Sequence, residues 1–353
     1  MKVKLLLSFL LLVGCCLCAA PADRAKTPPA RQAWDAYVMS YWLPEKAQFR
    51  LHKGREDKLL DFWFAAHAWD AIIDASLKFN DARTKAMVPA FYDAFMKRYP
   101  DWKTNHFNDD ILWWTISCTY AYRHTHDKRY LEQAKTMFDW LCEKEIDDTL
   151  GGGMWWKNSE HKSKNACNNF PAVITAMNLY AITKEKKYLE TAKKLHDWSR
   201  EKFFDTNSGA VYDNINLDGK VTRWNFSYNI GTFIGASLRM AKFTGEKKYL
   251  ADAVKAGEQL TKDLSPNGIL KASGQGDGGA FNGIGVRYLA ELAKIPEGHK
   301  FKPWLKENAK SAWEHRRPCD NIIGNDWSKT PADDFDIEGQ TAISALTLLL
   351  LAP

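Results

Sequence analysis

The chain has 353 residues and a formal net charge of +6, and 45% of its residues are hydrophobic. This length and apolar content suffice for one large core or at most two domains. The positive charges are spread along the chain without a basic run or an arginine-rich helix, which argues against nucleic-acid binding. Fifteen tryptophans are the unusual feature of the composition. Such rings fill cores, but they also stack on the C–H faces of sugars.

The first residues have the features of an export signal. Lys2 and Lys4 precede an apolar run, Leu5 to Val13, and small residues follow it. We expect residues 1–19 to be a signal peptide and residues 20–31 to be a tether. Leu12-Val13-Gly14-Cys15 resembles a bacterial lipobox, in which Cys15 would receive a lipid anchor; ordinary cleavage near residues 18–20 is the alternative. The sequence therefore predicts an exported protein, either a membrane-anchored lipoprotein or a secreted one.

An internal repeat then indicates how the rest of the chain is arranged. Three copies of one helix start place Tyr130, Tyr188 and Tyr249 about sixty residues apart, the length of a helical hairpin with its loops. Each copy continues as a charged amphipathic helix and follows a more apolar one. The apolar helices are predicted at 59–78, 110–124, 170–183, 229–244, 282–294 and 337–351. Beside the three repeated helices, amphipathic partners are predicted at 32–43, 83–98 and 302–316.

This helix count predicts an all-α protein. Six apolar and six amphipathic helices form an (α/α)6 barrel of six inner and six outer helices, which accounts for residues 32–353 as a single domain. No alternating pattern competes with the helices, although Gly209 to Val221 has room for a short hairpin. We expect a monomer.

The direction of the inner helices predicts where a binding cleft would lie. All inner helices run the same way in such a barrel, so their N-termini meet at one end. The segments there are polar and rich in glycine, which is typical of a cleft. They are Asn108-Asp109-Asp110, Asn168-Asn169, Tyr228-Asn229, Asp277-Gly278-Gly279 and Asp336 to Gln340. The tryptophans that flank them are Trp113, Trp114, Trp155, Trp156, Trp224 and Trp327.

Asp109 and Asp110 begin the second inner helix. Aspartate is common at this position because it caps the helix and interacts favourably with the helix dipole. The tryptophan-rich surroundings favour a second interpretation, glycosidic cleavage, which needs one ionised carboxyl group and one that holds a proton. Adjacent Cα atoms lie about 3.8 Å apart, so carboxyl groups roughly 5–7 Å apart are reachable. That range includes the roughly 5–5.5 Å of a retaining mechanism.

Ordered motifs around this pair resemble those of glycoside hydrolase family 76, the α-1,6-mannanases. The matching segments are Asn108 to Trp114, Gly151 to Trp156, Lys164 to Ala172, Tyr228 to Ala236 and Asp277 to Tyr288, so the resemblance covers most of the chain from about residue 60. It implies an (α/α)6 barrel that cleaves α-1,6-mannosidic bonds in mannan by a retaining, endo-acting mechanism, without a metal or cofactor. It also implies that Asp109 is the nucleophile and Asp110 the acid/base.

The same resemblance supplies candidate sugar-binding residues. They are Asn169, Tyr228, Asn229, Asp277 and Arg287. His106, three residues before the pair, is a further candidate at the mouth. Trp155 and Trp156 follow a triple glycine, and the sequence leaves them open between a sugar platform and packing. Ile230 and Asn282 depart from the family pattern, where Gln and Lys are common, so we expect one subsite to differ.

The sequence is compatible with two other functions. Transglycosylation, which remodels cell-wall glycan, would use the same carboxyl groups but transfer the glycosyl unit to a sugar rather than to water. A non-catalytic glycan-binding lipoprotein would need the aromatic mouth but not both carboxyl groups. The expected partner is an α-mannan polysaccharide or oligosaccharide, and no nucleic acid.

Overall fold

The structure is a computed structural model and describes residues 27–353. The predicted signal peptide, the lipobox with Cys15 and the first part of the predicted tether lie outside these residues. The last part of the tether is instead helical, because helix α1 begins at Pro29. Proline suits the first turn of a helix, since the N–H that it lacks would have no partner there.

Twelve α-helices occur in residues 27–353, and outer and inner helices alternate along the chain. The outer helices are α1 (Pro29–Tyr41), α3 (Ala82–Arg98), α5 (Lys128–Glu145), α7 (Lys186–Phe203), α9 (Lys247–Lys262) and α11 (Lys302–Glu314). The inner helices are α2 (Phe62–Phe79), α4 (Asn108–Thr125), α6 (Ala166–Thr183), α8 (Ser227–Thr244), α10 (Asp277–Leu292) and α12 (Gly339–Leu351). Each inner helix packs against the next, and α12 packs against α2. This closed ring confirms the predicted (α/α)6 barrel.

The repeated tyrosines hold the outer helices to the inner ones. Tyr130, Tyr188 and Tyr249 are each only 1% exposed. The ring of Tyr130 meets Trp69 of α2 edge-on, with centroids 5.2 Å apart. These residues are therefore packing residues, as the amphipathic pattern of their helices requires.

Glycines bring α8 and α10 unusually close together. A Cβ atom at Gly231 would lie 2.7 Å from the carbonyl oxygen of Ile284, and one at Gly235 would lie 2.4 Å from the Tyr288 ring. Neither position has room for a larger residue, and the absence of a side chain at these glycines lets the two helices pack closely together. The first turns of α8 and α10 therefore stand side by side at the same end of the barrel.

The helix starts differ from the predicted ones for a common reason. The inner helix α10 begins at Asp277 rather than at 282, and α6 begins at Ala166 rather than at 170. Their first turns present polar residues and glycines to the barrel end, so the apolar periodicity that marks the rest of each helix is missing there.

Five short strands lie in the segments between the helices of the described chain. Strands β1 (Trp42–Leu43) and β2 (Gln48–Phe49) pair antiparallel near the chain start. The hairpin expected within 209–221 is present but extends further, as β4 (Tyr212–Asn216) and β5 (Val221–Asn225). A third strand, β3 (Ser163–Asn165), pairs with β4 and was not predicted. None of the helices in the described part of the chain combines the length and apolar character that a membrane crossing needs.

Candidate active site

The first turn of α4 carries the adjacent carboxyl groups, and its neighbour Asn108 fixes that turn in place. Asn108 is fully buried. Its side chain donates hydrogen bonds to the carboxylate of Glu145 (3.0 Å) and to the carbonyl of Trp155 (2.8 Å). Its backbone N–H donates to the carbonyl of Trp156 at 2.9 Å. The loop after α5 is thereby tied to the helix start, and Asp109 and Asp110 are not needed for that task.

Asp109 lies in a buried environment that disfavours its charge. Burial raises its pKa to about 7, while the Cys167 thiol, the backbone N–H groups of the first turn and the Trp156 indole oppose the shift. Its Oδ1 atom is buried and accepts no hydrogen bond from the residues that the structure describes. Asp109 therefore has a carboxylate oxygen that is not committed to the protein, as a nucleophile requires.

Asp110 is the member of the pair that holds a proton more strongly. Burial raises its pKa well above the ordinary value, and the charge of Asp109 raises it further. The Asn105 side chain, which donates a hydrogen bond to Asp110 Oδ2 at 2.9 Å, acts in the opposite direction. Two carboxyl groups in one site with unequal proton affinities are the arrangement that acid/base chemistry needs.

Across α6 from the pair, Tyr228 and Asn229 of α8 share a carboxylate that the sequence analysis missed. The Tyr228 hydroxyl donates to Asp213 Oδ1 at 3.3 Å and the Asn229 amide donates to the same oxygen at 3.0 Å. Burial raises the pKa of Asp213. Burial raises the pKa of Tyr228 well above its ordinary value, and the nearby groups Cys167, Asp213 and Asp109 raise it further. No sequence signal pointed to Asp213, because it lies on β4 and reaches the site only through the pairing of that strand.

Asp277 and His106 also lie at this end of the barrel. Burial and the nearby charge of Glu338 raise the pKa of Asp277, and Asp277 in turn raises the pKa of Asp110. His106 is exposed, and its carbonyl accepts a hydrogen bond from the Asn158 N–H at 3.1 Å. Asp277 is thus electrostatically linked to the carboxyl pair, whereas His106 stands at the outer rim.

The side chains of Asn169 and Trp155 contact other parts of the protein. Asn169 is fully buried; its Oδ1 accepts from the Met154 N–H at 2.7 Å and its amide donates to the Met154 carbonyl at 3.0 Å. Trp155 is 2% exposed, stacks on His161 and donates its indole N–H to Asp147 at 2.9 Å. The structure therefore gives both residues a packing role rather than the expected contact with sugar.

The six tryptophans expected to flank the mouth divide into two groups. Four of them are buried, at 3% exposure or less: Trp113, Trp114, Trp155 and Trp327. Trp156 is partly exposed and lies beside Asp109, and Trp224 on β5 is 63% exposed. Of the six, these last two have indole surface that is open to solvent.

Comparison with known proteins identifies the family. The sequence profile of Glycosyl hydrolase family 76 matches residues 29–352. The chain belongs to this family. Among curated relatives, mannan endo-1,6-alpha-mannosidase DCW1 of Saccharomyces cerevisiae is 25% identical over 280 residues. The alignment covers 71% of this chain, and the chain spans 62% of the length of that relative.

Solved structures of family 76 show the same fold. The α-1,6-mannanase GH76A from Salegentibacter sp. superposes with a TM-score of 0.86 at 31% identity, covering 92% of this chain and 98% of that one. An inactive variant of the same enzyme, with two consecutive aspartates changed to asparagine, was solved in complex with α-1,6-mannotriose and matches equally well.

Arg287 is not at the mouth of this family 76 barrel. It lies beyond the middle of α10, where its Nη2 forms an ion pair of 2.6 Å with Asp74 and its Nε lies 4.0 Å from Asp70. It lines a cavity together with Leu351 and Leu77, from the C-terminal ends of inner helices. Arg287 was expected at the mouth from the family resemblance, but a side chain about three turns below the start of α10 cannot reach the mouth.

Replacing Arg287 tests its position. We expect Arg287→Ala to lower the free energy of unfolding by about 3–5 kcal/mol, because Asp70 and Asp74 would be left buried without their counter-charge. The KM of the folded enzyme should stay unchanged. Urea denaturation and initial-rate kinetics measure the two effects, and Arg287→Lys serves as the milder companion. A large rise in KM with wild-type stability would mean that Arg287 binds substrate after all.

Replacing Asp110 tests the cost of burying the pair. The raised pKa means that the native state binds more protons than the unfolded chain, whose carboxyl titrates near 3.8. Native stability therefore falls as the pH rises from the unfolded pKa, near 3.8, to the raised pKa of Asp110 in the native state. We expect Asp110→Asn to raise the melting temperature by several degrees at about pH 8 and by much less at about pH 4. Calorimetry at both pH values measures the difference; an equal gain at both would contradict the electrostatic explanation.

Proposed function

We propose that the protein is a retaining glycoside hydrolase that cleaves α-1,6-mannosidic bonds, with Asp109 as the nucleophile and Asp110 as the acid/base. The observation that carries this proposal is the half-buried pair itself. Of the two groups, Asp110 retains its proton to higher pH, while Asp109 has an uncommitted oxygen and neighbours that favour its charge. These are the states that the first step of a double displacement needs.

The proposed reaction has two steps. The Asp109 carboxylate attacks the anomeric carbon while the bond to the leaving O6 breaks, and Asp110 gives its proton to that oxygen. The product of this step is a mannosyl ester on Asp109. Asp110, now ionised, takes a proton from a water molecule whose oxygen attacks the anomeric carbon. The ester bond breaks, Asp109 regains its carboxylate, and the sugar leaves with the configuration that it had in the substrate.

The substrate assignment rests on the relatives. The Salegentibacter enzyme is an α-1,6-mannanase, and its inactive variant with two consecutive aspartates replaced binds α-1,6-mannotriose. The yeast relative is named as an endo-acting enzyme on the same linkage. We infer that this chain acts within linear α-1,6-mannan as a monomer. Asp277 and the group formed by Tyr228, Asn229 and Asp213 are the polar groups at the mouth that we assign to binding sugar hydroxyls.

Removing each carboxyl group tests the chemistry. We expect Asp109→Ala and Asp110→Ala each to lower kcat on α-1,6-mannan by about 10³-fold or more, because each step needs both groups. Asp148→Asn removes an exposed carboxyl group and should leave kcat unchanged. The first product, followed by NMR, should be the α anomer, and a fluorosugar trap should label Asp109. Full activity of either alanine variant, or a β anomer as first product, would refute the mechanism. Products longer than the substrate would indicate transglycosylation instead.

The proposed location follows from the leader sequence. We propose that the protein is exported and held on a membrane through a lipid on Cys15, so the enzyme would meet its glycan outside the cytoplasm. Mass spectrometry of the mature chain from the membrane fraction should show a lipidated N-terminal Cys15, and Cys15→Ser should move the enzyme to the soluble fraction. A mature chain that begins after residue 18 would show ordinary secretion.

A further inference from the structure

A row of aromatic rings leads from Tyr228 in the mouth to the protein surface. Tyr228, which lies in the first turn of α8 at the mouth and whose hydroxyl donates to Asp213 at 3.3 Å, stacks on Phe281 of α10 with centroids 4.1 Å apart. Phe226 contacts both of these rings, at 5.9 Å from Tyr228 and 5.3 Å from Phe281. The last member, Trp224, lies 6.1 Å from Phe226. The row therefore begins in the mouth, across from Asp109 in the ring of helices, and ends outside the barrel.

Trp224 is exposed in a way that packing does not explain. Its side chain is 63% exposed, whereas Tyr228 at the other end of the row is only 9% exposed. Exposure alone is not evidence of a site, because Leu217 at the turn of the same hairpin is 55% exposed. What distinguishes Trp224 is its continuity with the row: its ring packs on Phe226 and so extends a path of aromatic rings that starts at Tyr228 in the mouth, whereas Leu217 is an aliphatic residue at the turn.

The hairpin that carries Trp224 is held firmly to the active site. Asp213 on β4 accepts hydrogen bonds from Tyr228 and Asn229, the two residues at the mouth end of α8. The Tyr212 hydroxyl donates to Asp205 at 2.9 Å, and β3 pairs with the edge of β4 that is opposite β5. A platform on β5 is thus fixed in distance from Asp109, which reduces the entropy lost when a ligand spans both places.

We propose that Trp224 forms a glycan-binding subsite remote from the scissile bond, which takes a mannose unit several residues along the polymer. This inference rests on the proposed function and adds to it the reach of the site. Pyranose C–H faces stack on indole as apolar surfaces do. A 1,6-linked chain has an additional rotatable bond at every C6, so it can follow the row but loses much freedom when held. A rigid outer contact helps to retain it.

Binding as a function of chain length tests the subsite. The non-cleaving variant Asp109→Asn/Asp110→Asn is titrated by calorimetry with linear α-1,6-mannooligosaccharides from the trisaccharide to the octasaccharide. We expect affinity to rise with length until the chain reaches Trp224. Adding Trp224→Ala should weaken binding of the longest oligomer about tenfold and leave the trisaccharide unchanged, in line with the loss of one stacking contact.

Matched variants separate the subsite from a general effect on the hairpin. Leu217→Ala, which removes an exposed side chain of the same hairpin, should bind every oligomer as the parent does. Trp224→Phe should restore part of the affinity lost in Trp224→Ala. In the active enzyme, Trp224→Ala should raise the KM for mannan polymer several-fold while kcat, and the kinetics on the trisaccharide, stay unchanged.

The outcomes distinguish this inference from the proposed function. If wild-type enzyme cleaves mannan and Trp224→Ala binds every oligomer as the parent does, the subsite is wrong while the function stands. Equal weakening of short and long oligomers would also refute it, because the residue would then act on the mouth. If binding depends on length and on Trp224 but the wild-type chain cleaves no mannan, the subsite stands and the proposed catalysis fails.

Discussion

The burial of two adjacent carboxyl groups at the start of α4 is the constraint on which the rest of the site depends. Burial raises the pKa of Asp109 and of Asp110, and the charge of Asp109 raises that of its partner further. Both side chains are half-buried, and their raised pKa values persist only while they stay largely shielded from water, because full solvation would let both groups ionise at ordinary pH. The barrel meets this requirement by bringing the starts of six inner helices to one end, so that the walls of the mouth are anchored helix turns.

Buried asparagines make those walls rigid. Asn108 binds the carbonyl of Trp155, and Asn168 donates to the carbonyls of Met154 and Trp155. Asn169 accepts from and donates to the backbone of Met154. An amide at a helix start suits a sugar hydroxyl and a loop backbone equally well, because both offer a donor and an acceptor. The sequence predicted that Asn169 contacts sugar. In the structure the loop after α5 lies against these asparagines, so its backbone forms the hydrogen bonds instead.

Features set by local periodicity could be predicted from the sequence, and features set by depth or strand pairing could not. The repeat of apolar and amphipathic helices gave the barrel, and the shared direction of its inner helices put Asp109 and Asp110 at the mouth. Arg287 belongs to a matching motif, yet it lies on the length of α10 that faces Asp74, and a motif carries no information on depth. Asp213 could not be found because its place depends on β4, which pairs with β3 from a distant part of the chain.

The tryptophans show that this fold places its reactive groups and its exposed aromatic surface on different elements. Many of the tryptophans fill the core. Five of them are at most 2% exposed: Trp34, Trp69, Trp102, Trp114 and Trp327. An inner helix is covered on nearly every side, so its first turn is where it can present reactive groups. Contact along a polymer needs surface, which the segments between helices supply, and Trp224 lies on such a segment between α7 and α8. If Trp224 binds glycan as proposed, the length of glycan that is held can change without disturbing the partial burial of the carboxyl pair.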